Sequence, residues 1–406
     1  MLKERRRSVM PRRDRRLLMV LVISLAVTAT SQHIFANSPK LEKLPVSTDL
    51  LRAHYPKRVP RYIGDRVMAV FENPNGNGPS HRAVAEAMRH DARMLEILST
   101  DSTVLHGPTW TKVLKRREEI LKIVEKLLAL PEEKIDIWDA SVILSKDAFP
   151  NLNIRKLNRE FDVFVSRAGL LANRKDNPDF HVRALNTFIY KRWGIEYDKA
   201  DYLGRNLINR YAHGVLTTRK GTCANLATFY IAVAQRLGFP VKAVSAPQHL
   251  FARYDDPRLL FQNIDPSGQG GYSPDAEYIE DMEIPSIALE KGTFMRTMSN
   301  RELLAEIIAD HATAYYAEEL KDYATAIMIL DRALVNSPKA ADYWYVMGQI
   351  YKNWGSEEVV PKMRETKYTR GFVFMQKSKR MGKGKPLEEG YWKKLQQKKG
   401  KGRPGA

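Results

Sequence analysis

The residues of this 406-residue chain most able to do chemistry are a lone cysteine, Cys223, and two polar side chains that follow it, His249 and Asp265. A thiol, an imidazole and a carboxylate are the parts of a nucleophilic acyl-transfer centre: the carboxylate orients the imidazole, the imidazole takes the thiol proton, and the thiolate attacks a carbonyl. The sequence context supports a nucleophile. Cys223 follows Gly221-Thr222 and precedes ANLATFYIAVAQRL, an apolar stretch that ends at Gly238. This pattern predicts a buried helix starting at the cysteine. Its unpaired N–H groups and positive dipole end would stabilise a thiolate and a developing oxyanion. The plain alternative is that a lone cysteine is a small core hydrophobe.

His249 lies eight residues before Pro257 and Asp265 eight after it. VKAVSAP, HLFARYDD and LLFQNID read as strands. A turn centred on Pro257 would make His249 and Asp265 directly opposite neighbours on one face, with Cβ atoms about 5 Å apart. His213, in the stretch feeding the cysteine, and Trp193, further upstream, are secondary candidates, with core packing the plainer reading of Trp193. No HExxH or paired Cys/His spacing is present, so neither metal nor cofactor is expected.

The elements that must position these residues are mostly helical. Amphipathic spacing runs through AVAEAMRHDARMLEIL and WTKVLKRREEILKIVEKLLAL. Two helices joined at Phe149-Pro150 follow, then PDFHVRALNTFIYKRWG. DYLGRNLINRYAHG reads as a short helix before the cysteine. Helices first and hairpins after predict an α+β domain, here residues 81–300. Residues 301–380 read as tetratricopeptide-like helices, and 303–354 within them carry a 34-residue period, with Ala314 and Gly348, Ala317 and Tyr351, and Asp310 and Trp344 each one period apart. Ala326, Leu330, Ala333 and Pro338 fall where a tetratricopeptide helix pair needs small, bulky, small and helix-ending residues. TKYTRGFVFMQKSKRM is a third candidate pairing.

The formal net charge of +19 is concentrated at the ends: Met1–Arg16 and Lys377–Arg403 together carry +15 of it. Basic tails without a basic folded face argue against a nucleic-acid partner. The arginine-rich start and the 14 apolar residues Leu17–Thr30 predict a signal peptide or signal anchor over residues 1–36, with cleavage points after Ala29 and Ala36. That implies a periplasmic protein, or one anchored to the inner membrane and facing the periplasm. Residues 37–80 read as a linker with one ordered piece near Asp65–Phe71. Residues 381–406 read as a basic disordered tail.

Cys223, His249 and Asp265 stand in an order and context that resemble the transglutaminase-like superfamily, whose fold is papain-like. RKGTCANLATFYIAVAQRLGFPVKAVSAPQHLFARY, NIDPSGQGG and the lead-in ASVILSKDAFPNLNIRKLN resemble more closely the SirB family of transglutaminase-like proteins with C-terminal tetratricopeptide repeats, over roughly Ile135–Trp354. The resemblance implies a papain-like α+β domain followed by helical hairpins. It also implies Cys223, His249 and Asp265 as catalytic residues acting on a protein or peptide amide, by hydrolysis or cross-linking. The same family includes members with another residue at the nucleophile position. A non-catalytic adaptor that binds a protein partner through its repeat groove is therefore the alternative reading.

Overall fold

The computed structural model describes residues 107–384, apart from 174, 175 and 360. The leader, the linker and the helix expected from residue 82 lie outside the described residues, as does the tail from 385. Helix α1 (Gly107–Leu128) leads into α2 (Ile137–Ala148) and α3 (Ile154–Ala172). α2 starts where Asp136 accepts a hydrogen bond from the Asp139 N–H (2.8 Å), and α3 where Asn153 accepts from Lys156 N–H (3.0 Å). These caps satisfy N–H groups that the first turn leaves unpaired. α4 (Pro178–Asn186) starts on Asn177 and Pro178 and passes into a wider π-helical turn, Thr187–Arg192. Of the short helix expected over residues 201–214, the part Ala212–Gly214 is α-helical, while the chain before it forms two 3-10 turns, Lys199–Asp201 and Leu207–Arg210, joined by irregular chain. Asp198 and Asp201 hold that chain through the Asn209 amide, at 2.9 Å each, a job helix geometry would not permit.

Helix α5 (Ala212–Thr218) is followed by the central helix α6 (Cys223–Arg236). α6 is buried from Asn225 to Ala234, as its unbroken apolar character requires, and Gly238 leaves it at φ +76°. Trp138 of α2 and Phe161 of α3 stack at 3.8 Å between ring centroids, and both meet Phe229 of α6 edge-on. This aromatic wedge fixes α6 against the N-terminal helices. Its other side carries an antiparallel sheet in the order β3 (Val241–Ala246), β4 (His249–Tyr254), β5 (Asn263–Asp265), β6 (Gly271–Ser273). A separate two-stranded parallel ladder pairs β1 (Glu196–Tyr197) with β2 (Lys220–Gly221), anchoring the chain just before the cysteine. A Cβ on Gly221 would lie 2.8 Å from a Val215 methyl, so only glycine lets β2 pass this close to α5. Two short helices follow, α7 (Asp275–Asp281) and α8 (Ser286–Glu290). The structure is thus mixed helix and sheet, mostly helical.

The C-terminal part is helical throughout: α9 (Asn300–His311), a π-helical continuation to Glu319, α10 (Tyr323–Asn336), α11 (Ala341–Glu357) and α12 (Pro361–Arg380). α9 opens with a reciprocal capping box between Ser299 and Glu302. Ala314, Ala326 and Ala333 are buried at helix contacts. Gly348 and Gly371 face each other across the α11–α12 crossing. A Cβ on Gly348 would lie 2.6 Å from the Gly371 carbonyl oxygen. Lys383, assigned from composition to the disordered tail, is instead buried and paired with Asp342, and Lys377 lies over the Trp344 ring at 3.2 Å.

Candidate functional site

Cys223 is the first residue of α6, with Thr222 as its N-cap. The loop before it is tied down at Thr222, whose N–H donates to the Asn209 carbonyl at 3.4 Å. The β1–β2 ladder holds Gly221. His249 comes from the other side. Ala246 pairs with His249 across the two-residue turn Pro247-Gln248, with Gln248 at φ +54°. His249 therefore opens β4 at a sharply fixed point, and its imidazole and the Cys223 thiol lie close enough for each to shift the other's proton affinity.

Asp265 ends β5. The β4–β5 register differs from the expected one. The pairs Ala252↔Ile264 and Arg253↔Asn263 put Asp265, one step further, across from Phe251 rather than His249. Because strand side chains alternate faces, a slip of two keeps His249 and Asp265 on the same face as diagonal neighbours. His249 Nε2 and Asp265 Oδ2 are 3.5 Å apart, and both side chains are almost fully buried. The slip arises because the chain between the strands is an irregular loop, residues 255–262, and LLFQNID contributes only Asn263–Asp265 to the sheet.

The Asp265 carboxylate is held rigidly. Its Oδ1 accepts from Ser267 Oγ (2.5 Å), Ser267 N–H (3.0 Å) and Gly268 N–H (3.3 Å). That leaves Oδ2 for the imidazole. The Asp265 charge also raises the proton affinity of the buried Tyr278 hydroxyl, whose ring stacks on Phe251 at 4.2 Å. Asp-Pro-Ser-Gly was readable as an Asp-capped turn. Tyr278 and the Leu250 N–H left no sequence signal, since chain separation and backbone placement bring them in.

The electrostatics follow from this packing. Burial pushes the Cys223 thiol up, but its hydrogen bond to His249, the imidazolium charge and the Leu250 N–H outweigh burial and leave the thiol below its ordinary value. Burial alone would lower His249; the Asp265 charge and hydrogen bond, with the thiolate, raise it well above the ordinary imidazole range. The pair thus favours thiolate and imidazolium over thiol and imidazole. His213 lies apart from this chemistry. Its Nδ1 meets Ser145 Oγ at 2.9 Å, and burial lowers it to about 4, so it is a neutral core residue. Trp193 packs edge-on against Phe164 at 4.9 Å.

This arrangement sits within a recognised domain: residues 155–309 match the profile of the transglutaminase-like superfamily, and the chain carries a transglutaminase-like domain there. Among curated proteins, the chain is 23% identical over 231 residues to a UPF0162 protein of Xylella fastidiosa strain Temecula1, covering 54% of this chain and 80% of the relative. It is 24% identical over 173 residues to the UPF0162 protein of strain 9a5c, covering 42% of this chain and 59% of that relative. A 71-residue stretch is 34% identical to F-box only protein 21 of Mus musculus, or 18% of this chain and 11% of that protein. No solved structure matches.

Proposed function

We propose that the protein is a thiol-dependent acyltransferase or hydrolase acting on an amide of a protein or peptide substrate, with Cys223 as nucleophile. The observation that carries this reading is the contact of a helix-initial thiol with a buried, carboxylate-backed imidazole that pulls the thiol below its ordinary value. His249 takes the thiol proton and later returns it to the leaving amine. Asp265 keeps Nε2 occupied, which leaves Nδ1 to face the sulfur. The free N–H groups at the start of α6 receive the oxyanion of the tetrahedral intermediate. The thioester that results is released by water, giving hydrolysis, or by an amine, giving cross-linking. Water needs no dedicated acceptor site, and hydrolysis is the favoured outcome.

In this reading the chain is a SirB-type protein whose helices α9–α12 are tetratricopeptide-like hairpins that present a protein substrate. The arginine-rich start and apolar run then send it to the periplasm or anchor it at the inner membrane. Among the described residues no helix is long and apolar enough to cross a membrane. The adaptor reading has one observation behind it: Asp342 of α11 accepts a hydrogen bond from the Gln248 N–H at 2.9 Å, so the C-terminal helices close against the turn that carries His249.

Electrophilic labelling tests the nucleophile directly, because Cys223 is the chain's one thiol. Labelling near neutral pH should fall sharply in His249→Ala. Equal labelling of the two proteins refutes the poised thiolate. Full rescue of a deletion strain by Cys223→Ala would hand the function to the adaptor.

A further inference from the structure

A cavity of about 50 Å³ lies beside the start of α6. Its near wall is Ala224 and Asn225, the two residues after Cys223, together with Leu250, whose backbone N–H helps lower the thiol. Its far wall comes from the C-terminal helices. Leu303, Glu306, Ile307 and Asp310 form one face of α9 at spacings of three and four, and Tyr343 comes from α11. Tyr343 is close enough to Cys223 for the two to interact electrostatically, and α11 lies beyond the matched domain.

The charges in this cavity are unevenly matched. Arg210 is fully engaged: its Nε and Nη2 donate to Asp310, and its Nη1 lies 3.5 Å from Glu318. Glu306 has no such partner. Among the described residues it forms no ion pair, and the hydrogen bond it receives comes from Ser337 Oγ at a long 3.4 Å. Arg296, the cation that acts on it from a distance, is committed to Glu302. Glu306 is half-buried, and desolvation without a close counter-ion pushes its carboxyl up to about 7.

We propose that this cavity is the specificity pocket of the Cys223 site and takes a primary ammonium group, with Glu306 as the residue that reads the charge. The substrate class is an amide whose neighbouring side chain or terminus carries a protonated amine. An ammonium ion-paired with a carboxylate holds no free lone pair, so it serves recognition and is distinct from any attacking amine. The oxyanion of the reacting carbonyl goes to the opposite wall, the N-terminus of α6. Tyr343 gives the pocket an aromatic face for the stem of the cationic group. The inference rests on the proposed role of Cys223.

The test uses the full chain and three methanethiosulfonates: aminoethyl (cationic), sulfonatoethyl (anionic) and methyl (neutral). Each forms a mixed disulfide with Cys223 and releases methanesulfinate. Dividing the charged rates by the neutral one cancels changes in thiol reactivity. The wild type should favour the cation over the anion, and Glu306→Gln, which keeps the shape and the Ser337 contact, should cut that ratio on the order of tenfold. Glu280→Gln, an exposed acid on α7, should leave the ratio where it is. A ratio unchanged in Glu306→Gln, or lowered equally by Glu280→Gln, overturns the pocket. If the neutral rate is also indifferent to His249→Ala, the thiol is not poised, and the acyl-transfer reading falls with the pocket. If that rate does depend on His249, only the pocket falls.

Discussion

Replacing Asp265 by asparagine removes one charge and almost no volume. Asn Oδ1 can still accept from Ser267 and Gly268, so the turn after β5 should keep its shape. What is lost is the attraction between a carboxylate and an imidazolium 3.5 Å apart in a buried setting. At an effective dielectric constant near 20, that attraction has an upper bound of about 5 kcal/mol, and relaxation and the retained polar contact reduce the net effect to roughly 1.5–3 kcal/mol. The loss falls on His249, whose raised proton affinity depends most on Asp265. It reaches Cys223 through the imidazolium that holds the thiolate, an effect larger than the direct push of the Asp265 charge, which on its own raises the thiol. The readout is the rate of iodoacetamide alkylation against pH. In the wild type the rate should rise with an inflection below that of a free cysteine. In Asp265→Asn the inflection should move up, with a fall of about ten- to a hundredfold near pH 6.5, since 1.4 kcal/mol is a factor of ten. An unshifted profile in a protein with native circular dichroism would refute the claim that Asp265 acts on the thiol through His249.

The same shifts define a pH window for turnover. The thiolate exists above the lowered value of Cys223 and the imidazolium below the raised value of His249, so kcat/KM should be bell-shaped with its acid limb under the ordinary cysteine value and its alkaline limb over the ordinary histidine value. An acid limb at the free-thiol position would contradict it. Gly348→Ala puts a methyl 2.6 Å from the Gly371 carbonyl oxygen, and forcing α11 and α12 apart should outweigh the helix-propensity gain and cost about 1–3 kcal/mol in urea unfolding. Ala326→Leu, in a fully buried position on α10, should cost a similar roughly 1–3 kcal/mol, and an unchanged midpoint would show that the contact is looser than described.

How much of this was legible in the sequence depended on whether a signal was local. Cys223 at a helix start could be read because Gly-Thr before it and Leu-Gly after α6 are local punctuation. The pairing of His249 with Asp265 was readable as a shared face but misplaced by two residues, since equal arms about Pro257 assume a tight hairpin and the chain forms an irregular loop there. The helical C-terminal segment was visible in its small-residue period. Its approach to the site was not: Glu306, Asp310 and Tyr343 meet Ala224 and Asn225 only through tertiary packing. Lys377 and Lys383 were counted as tail charge because a composition tally cannot see Trp344 beneath one or Asp342 beside the other. The leader and linker assignments, and that of the tail from residue 385, concern residues outside those described.

Asp342 has a consequence for the order in which the protein becomes itself. One of its carboxylate oxygens holds the backbone of Gln248, the residue before His249, and the other holds Lys383. A ribosome delivers the thiol and the imidazole first and this clasp about a hundred residues later. Until α11 and the chain around Lys383 emerge, the turn bearing the imidazole lacks its outer fastening and the ammonium pocket lacks a wall. The nascent chain therefore carries its reactive sulfur in an unfinished site, and that site is completed only when synthesis has passed Lys383.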